Sequence, residues 1–216
     1  MKHCDHQHNH GEKNQREFFN ELANSWDNIS IHDLTKVDYI ISLLGLKGDE
    51  RIMDVGTGTG ILIPFYEKYL TSGSVLAVDF SKEMISRCKE KYPEAEHPLV
   101  RFEVTDVYDT AYEKEFDVVT CYSCFPHFND HQKVVDILSR SLNPGGKFMI
   151  AHSSSRDHIN HVHRHGGSDI HDDVLPTLEE LSILFTKSEL HILFERSDED
   201  YHIIIAEKPL TSRDIF

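Results

Sequence analysis

The 216-residue chain has no cluster of lysine or arginine anywhere, and its 22 basic residues stand against 37 acidic ones for a formal net charge of −15. A protein that holds DNA or RNA neutralises phosphates along a basic track, so this charge excludes nucleic acid as the expected partner. Long apolar runs are missing too. None approaches a membrane span or the core of a signal peptide, so a cytoplasmic protein with no membrane partner is expected. Cysteine is scarce, at four residues, which fits reduced thiols and not a disulfide framework. No internal repeat is present, and nothing in the chain sets an oligomeric state. What remains is ordinary globular material: 39% hydrophobic and 10% aromatic residues, enough for one domain with an ample core. Histidine is the exception. There are 16, four of them in the first ten residues and six more between His152 and His171.

Arg51-Ile-Met-Asp-Val-Gly-Thr-Gly-Thr-Gly-Ile-Leu reads as a short buried strand running into glycines at 56, 58 and 60, followed by an apolar helical pattern. A strand, a glycine turn and a helix start make a nucleotide-binding crevice in doubly wound α/β folds. Glycine is required where the turn visits positive φ and where a ligand lies against bare backbone. The spacing is G-x-G-x-G, unlike the G-x-G-x-x-G of dinucleotide sites, and Asp54 precedes it by two residues. A carboxylate there repels a pyrophosphate and suits a ligand carrying an ammonium or sulfonium, most simply S-adenosylmethionine.

Other acids fall where such a ligand needs them. Ser74-Val-Leu-Ala-Val-Asp79 is a second apolar strand ending in an acid 23 residues after Gly56, near the roughly 20-residue spacing of a ribose-binding carboxylate. Ser81-Lys-Glu-Met then caps a helix whose Met84 can cover an adenine. Val100-Arg-Phe-Glu-Val-Thr-Asp106 ends a third strand in an acid suited to the adenine amino group. With Phe18-Phe-Asn-Glu-Leu-Ala-Asn-Ser-Trp26, Asp117-Val-Val-Thr-Cys-Tyr-Ser-Cys124 and Leu142-Asn-Pro-Gly-Gly-Lys147 in the right order, the chain resembles a class I S-adenosylmethionine-dependent methyltransferase over about residues 16–208. The resemblance implies a Rossmann-like fold and a cofactor bed of Asp54, Gly56, Thr57, Gly58, Asp79, Phe80, Met84 and Asp106. Backbone at Cys121 and Tyr122 is expected to close over the methionine moiety.

Residues 1–11 read as a His-rich flexible tail in which Cys4, His6, His8 and His10 could take up Zn²⁺ or Ni²⁺. Residues 12–216 read as the domain, with N-terminal helices over 12–45 and an insertion over 152–175. Between them the pattern predicts strand 51–55, helix 60–70, strand 74–79, helix 81–91, strands 100–105 and 116–121, helix 131–141 and strand 146–151. A helix from Pro176 to about Thr186 and a hairpin of Glu189–Glu195 with Tyr201–Ala206 follow. The sum is a seven-strand, mostly parallel sheet with one antiparallel member and helices on both faces.

Methyl transfer from a sulfonium is an in-line displacement, so an enzyme chiefly positions the acceptor and excludes water. The acceptor, a small molecule, is expected above the C-terminal strand ends, against Phe19 and Trp26. His127, in the loop after the fourth strand, suits a general base, with a structural helix-capping role as the alternative. His152, Asn160 and His163 are expected to join it from the loop after the fifth strand. The segment His152–Asp173 outlines a subgroup of uncharacterised class I methyltransferases. As a helix it puts His158, His161 and His165 on one face; extended, it puts His161, His163 and His165 together. Either set, with Asp169, His171, Asp172 and Asp173, offers nitrogen and oxygen ligands for Zn²⁺, Fe²⁺, Ni²⁺ or Mn²⁺. Two further readings follow: a methyltransferase that uses such a metal, and a non-catalytic protein that binds S-adenosylmethionine and metal.

Overall fold

The strand that opens the core, β1 (Arg51–Val55), is buried on both sides from Ile52 onward, so helices must cover both faces of its sheet. The computed structural model describes residues 11–166 and 170–210, with the backbone alone for 11–14. Among the described residues, β1 joins β2 (Ser74–Asp79), β3 (Val100–Val104), β4 (Phe116–Tyr122), β5 (Leu142–His152), β6 (His191–Ser197) and β7 (His202–Glu207) in one seven-stranded sheet of order β3-β2-β1-β4-β5-β7-β6. β7 is antiparallel to both of its neighbours, and every other pairing is parallel. It is the one antiparallel member that the sequence leads us to expect.

Period-two alternation sorts the strand residues between two layers. Ile52, Val75, Ala77, Val118, Met149 and Ile203 pack with α3 (Leu34–Ser42), α4 (Ile63–Tyr69) and α5 (Lys82–Lys91). Met53, Val55, Val119, Phe148, Ile150 and Ile204 pack with α6 (His131–Ser141) and α8 (Leu178–Lys187) on the other side. On α3, the expected face of Val37, Ile40, Ile41 and Leu44 is almost completely buried. Each such side chain contributes roughly 1.5–3 kcal/mol. Asp33 caps this helix through the amides of Thr35 and Lys36. A third cluster, Phe19, Ala23, Met84 and Ile170 with Trp26 and Phe80, packs α1 (Gly11–Leu22) and α2 (Trp26–Ile29) over the strand ends. No helix among the described residues is long and apolar enough to cross a membrane.

Several boundaries differ from the sequence pattern, four of them with a clear local cause. The helix expected over 12–25 ends at Leu22, because a turn at Leu22–Ser25 redirects the chain before the short α2 begins at Trp26. α4 starts at Ile63 and not at 60, because the glycine turn extends through Leu62. β5 starts at Leu142: the Asn143-Pro-Gly-Gly turn is absorbed as an irregularity in which the register jumps from Leu142 to Lys147 while β4 advances only from Phe116 to Val118. β6 starts two residues late, because Glu189 takes φ +60° just past the end of α8. α7 (Arg156–His165) settles the alternatives for the insertion in favour of a helix. Residues 1–10, with Cys4, His6, His8 and His10, lie outside the described residues, as does Asp169.

Candidate active site

The strand order reverses between β1 and β4, and at that switch point a cavity of about 350 Å³ opens over the strand ends. Its floor is the glycine turn. Gly56 has φ +67°, and a Cβ there would lie 2.6 Å from the Cβ of Cys124. Gly58 has φ +56°, but a Cβ there would find only Trp26 Nε1 at 3.7 Å, so this glycine leaves open space facing the cavity. Gly56 is thus needed for packing and Gly58 for access.

Asp79 ends β2 beside this turn. The sequence places it at a strand end facing solvent; instead it is buried, and both oxygens are used. Oδ2 accepts from Gly58 N at 2.9 Å and Oδ1 from Ser81 N at 2.8 Å. Burial raises its pKa to about 6, against the lowering effect of those two amides. Ser81 in turn caps α5 by accepting from Met84 N. Phe80, Met84 and Asp106 line the cavity beside it. Asp106 is already engaged, accepting from Tyr108 N and from Arg16.

Asp54 sits beneath the turn and does not itself line the cavity. Register explains its partners: it lies opposite Thr120 of β4, on the face that α4 covers. The Thr120 and Tyr66 hydroxyls are hydrogen-bonded to each other at 2.7 Å and lie 2.9 and 3.2 Å from Oδ1, so one donates to Oδ1 and the other to its neighbour. Oδ2 is buried with no hydrogen-bond partner among the described residues, beside an equally unpaired Thr57 hydroxyl. Burial again raises the pKa to about 6, with the surrounding hydroxyls pulling it down. A buried carboxylate with one unmatched oxygen is an incomplete arrangement that a cation completes.

The opposite half of the cavity is aromatic and apolar. Phe19, Trp26, Ile31, Leu34 and Phe128 line it, with His32, Tyr122 and His127 among the polar groups of the wall. Tyr122 Oη bonds to His32 Nδ1 and Ser153 Oγ, joining the N-terminal segment to the ends of β4 and β5. Ser123, between wall residues Tyr122 and Cys124, adopts φ +56°, a strained conformation for a non-glycine residue.

Several expected site residues lie elsewhere. Cys121 is fully buried in the sheet with its side chain in the α6 layer, and the wall is formed by Tyr122, Ser123 and Cys124. His152, the last residue of β5, is buried off the wall with neither ring nitrogen bonded, and burial pushes its pKa well below the ordinary histidine value. His163 is buried behind His127, and its Nδ1 donates to the Asp173 carbonyl. Asn160 bonds twice to the backbone of Leu175 and fastens a loop instead of facing the cavity.

The expected metal donors do not meet either. The helical period turns His163 inward while His158, His161 and His165 face out. His161 and His165 stack at 4.3 Å, His165 Nδ1 donates to the His161 carbonyl, and His171 pairs with Asp172. Among the described residues no three histidine, cysteine, aspartate or glutamate side chains are grouped to hold a metal ion. Among the described residues the cysteines, Cys88, Cys121 and Cys124, are buried thiols, with Cys88 pushed up to about 12 by burial and Cys124 well above its ordinary value.

The structure also adds residues that sequence reasoning missed. Asp173, read there as one possible metal donor, accepts through Oδ2 from both Gln15 Nε2 and His127 Nδ1. His32 and Gln15 reach the cavity from N-terminal segments whose sequence gave only a helical or loop pattern. Pairings across 158 and 46 residues leave no local signal.

S-adenosylmethionine carries an ammonium, a sulfonium and an adenine. An unmatched carboxylate oxygen under a glycine turn, a second carboxylate at the next strand end and the Phe80 and Met84 side chains fit those three groups. Fold and site together fit a class I S-adenosylmethionine-dependent methyltransferase domain. Residues 53–150 match the family described as methyltransferase domain. The ubiquinone/menaquinone biosynthesis C-methyltransferase UbiE of Bdellovibrio bacteriovorus is 28% identical over 142 residues, or 62% of this chain and 60% of that protein. The ubiquinone biosynthesis O-methyltransferase of Hydrogenovibrio crunogenus is 25% identical over 148 residues, or 64% and 60%. The chain thus spans about 60% of the length of these two curated relatives. Among solved structures, phosphoethanolamine N-methyltransferase 2 of Haemonchus contortus, in complex with S-adenosyl-L-methionine, shares the fold with a TM-score of 0.74 at 18% identity, covering 91% of this chain and 60% of that one.

Proposed function

We propose that this chain transfers the methyl group of S-adenosylmethionine to a small acceptor with an apolar body. The observation that carries the reading is Asp54: a buried carboxylate with an unmatched oxygen, under a glycine turn that leaves space at Gly58. When bound, S-adenosylmethionine supplies an electrophilic methyl group on a sulfonium. The residues of this chain would do the rest. Asp54 balances the ligand's positive charge, and Gly56, Thr57 and Gly58 offer bare backbone. Asp79 holds the turn and faces the ribose, Phe80 and Met84 flank the adenine, and Asp106 stands at its edge. Phe19, Trp26 and Phe128 exclude water from the acceptor half, with the exposed Ile31 and Leu34 at its rim, and together they favour a ring or short chain. That preference suits acceptors of the general kind named for the two ubiquinone-pathway relatives. His127 is, with His32, one of two imidazoles on this wall that can take up a proton.

Calorimetry with S-adenosylhomocysteine and with NAD tests the cofactor half of the proposal, and release of S-adenosylhomocysteine across a panel of apolar hydroxyl and amine acceptors tests the transfer. Tighter binding of NAD than of S-adenosylhomocysteine would overturn it.

A further inference from the structure

We propose that Asp173 orients His127 as the proton acceptor of this site, and that the methyl acceptor arrives with a proton on a hydroxyl. The inference rests on the methyl-transfer reading above and extends it to a positioning residue and a substrate class. His127 Nδ1 lies 2.6 Å from Asp173 Oδ2, and Gln15 Nε2 donates to that same oxygen at 2.9 Å. An oxygen that accepts from an amide also accepts from the ring, so the hydrogen sits on Nδ1. The neutral imidazole then keeps its lone pair on Nε2. Nε2 has no protein partner among the described residues, and the ring forms part of the cavity wall.

Three separate segments build this arrangement: α1, the 3-10 turn after β4 and the loop after α7. The Phe19 ring meets the His127 ring edge-on at 5.0 Å, and the His163 ring lies 4.9 Å from it on another side. The loop that brings Asp173 is fixed at two points. Its Asp173 carbonyl accepts from His163 Nδ1 at 2.9 Å, and Leu175 N donates to Asn160 Oδ1 at 2.7 Å. Only 14% and 15% of the His127 and Asp173 side chains remain exposed, so water competes little with the pair. The inward residues of the His-rich helix therefore act through Asp173, and His163 is itself a positioning residue.

In the reaction the acceptor hydroxyl gives its proton to Nε2, and the freed oxygen pair forms the bond to the methyl carbon. The pair of the breaking C–S bond stays on sulfur, which becomes a neutral thioether. The proton then leaves His127 for solvent and restores the starting ring. Charge and atoms balance without a further reactant.

Histidine-selective ¹⁵N labelling and long-range ¹H–¹⁵N correlation of the full chain, with and without S-adenosylhomocysteine, read the tautomer directly. The wild type is expected to show His127 as Nδ1–H with a bare Nε2. The near-isosteric Asp173→Asn is expected to move the population toward Nε2–H, a change that a packing role alone would not cause. A wild-type ring already in the Nε2–H form overturns the inference, and so does an unmoved tautomer in the variant. The wild-type spectrum decides even if Asp173→Asn fails to fold. The substrate class is tested with 4-nitrophenol, whose anion absorbs apart from its neutral form, added to the S-adenosylhomocysteine-loaded protein. Binding with a greater anion fraction in wild type than in His127→Gln supports a hydroxyl acceptor; no binding, or no added ionisation, overturns it. Calorimetry on the same samples separates the two readings. Loss of S-adenosylhomocysteine binding sinks the methyl-transfer reading, while the tautomer result stands or falls by itself.

Discussion

Asp54 and Asp173 are carboxylates that stand behind the wall of one cavity without lining it, and they are held in opposite ways. Asp54 belongs to a central strand, where sheet register and an overlying helix bring two hydroxyls beside one oxygen and leave the other unmatched. Asp173 belongs to a loop, and one of its oxygens already accepts from an amide and an imidazole brought from elsewhere in the chain. The first arrangement is completed by a ligand, whereas the second is complete within the protein and sets the state of a neighbour. Acidity in a site therefore has two uses here: neutralising a bound cation and fixing a proton on one side of a ring. The first is rigid because a sheet holds it; the second depends on the packing of a peripheral helix.

The largest effect is expected on the strand side, at the glycine turn. Gly56→Val places a Cβ 2.6 Å from Cys124 at φ +67°. Strain and overpacking together should cost about 3 kcal/mol or more in urea unfolding. Gly58→Val should cost less stability, because its Cβ meets open space, yet should abolish measurable binding of S-adenosylhomocysteine by filling that space. Equal stability losses at the two positions would break the distinction between a packing glycine and an access glycine.

Asp79→Ala is next. It should weaken S-adenosylhomocysteine binding by ~1–3 kcal/mol through lost charge-assisted hydrogen bonds. Because the same carboxylate holds the amides of Gly58 and Ser81, thermal stability should also fall. An unchanged dissociation constant in calorimetry would show that this acid serves the turn alone.

A pH titration sharpens the comparison for Asp54, whose pKa is raised to about 6 from an ordinary 3.8. A raised folded-state pKa means that protonation favours the folded apoprotein. Its contribution to stability is full below the unfolded value and is lost as pH rises through about 6. Binding of a cationic ligand has the opposite slope, since it needs the ionised form: affinity for S-adenosylmethionine should be full above pH 6 and fall as pH drops through it. Asp54→Asn keeps an acceptor for the Thr120 and Tyr66 hydroxyls and removes the titration. The wild-type-minus-variant difference in stability and in affinity should therefore run in opposite directions between about pH 4 and 6. Parallel slopes would mean that Asp54 does not meet the ligand's charge.

The same contrast explains what was legible in the sequence. The core strands, the antiparallel seventh strand, the α3 face and the cavity at the switch point follow from short-range periodicity and from glycines whose positive φ is a backbone requirement. Asp54 was legible because it is covalently tied to that turn. The fate of its second oxygen was not, since it depends on Thr120 across the sheet and Tyr66 on the next helix. In the insertion, density of histidine suggested a metal site, but a residue count carries no orientation. α7 turns His163 inward and leaves His158, His161 and His165 facing out, and the contacts of the inward one reach a loop ten residues on and a turn thirty-six residues back. Gln15 and His32 gave no signal, because a polar residue on a terminal helix or loop looks the same whether it faces solvent or a ligand.

The smallest effects should fall on α7, where two histidines two residues apart have different surroundings. His163 is 8% exposed and donates to the Asp173 carbonyl, whereas His161 is exposed and its ring meets that of His165 on the same helix. His163→Ala should cost about 1–2 kcal/mol, from one lost hydrogen bond and a small void, and should loosen the loop that carries Asp173. His161→Ala should stay within ~0.5 kcal/mol of wild type, as surface substitutions do. Urea unfolding reads the stability, and amide exchange at Asp173 and Leu175 reads the loop. Faster exchange in His163→Ala alone would show that the inward face of this helix acts by holding a carboxylate in place. Equal effects of the two substitutions would mean that His163 does not hold the loop, which would then rest on Asn160 and Arg156 at Leu175.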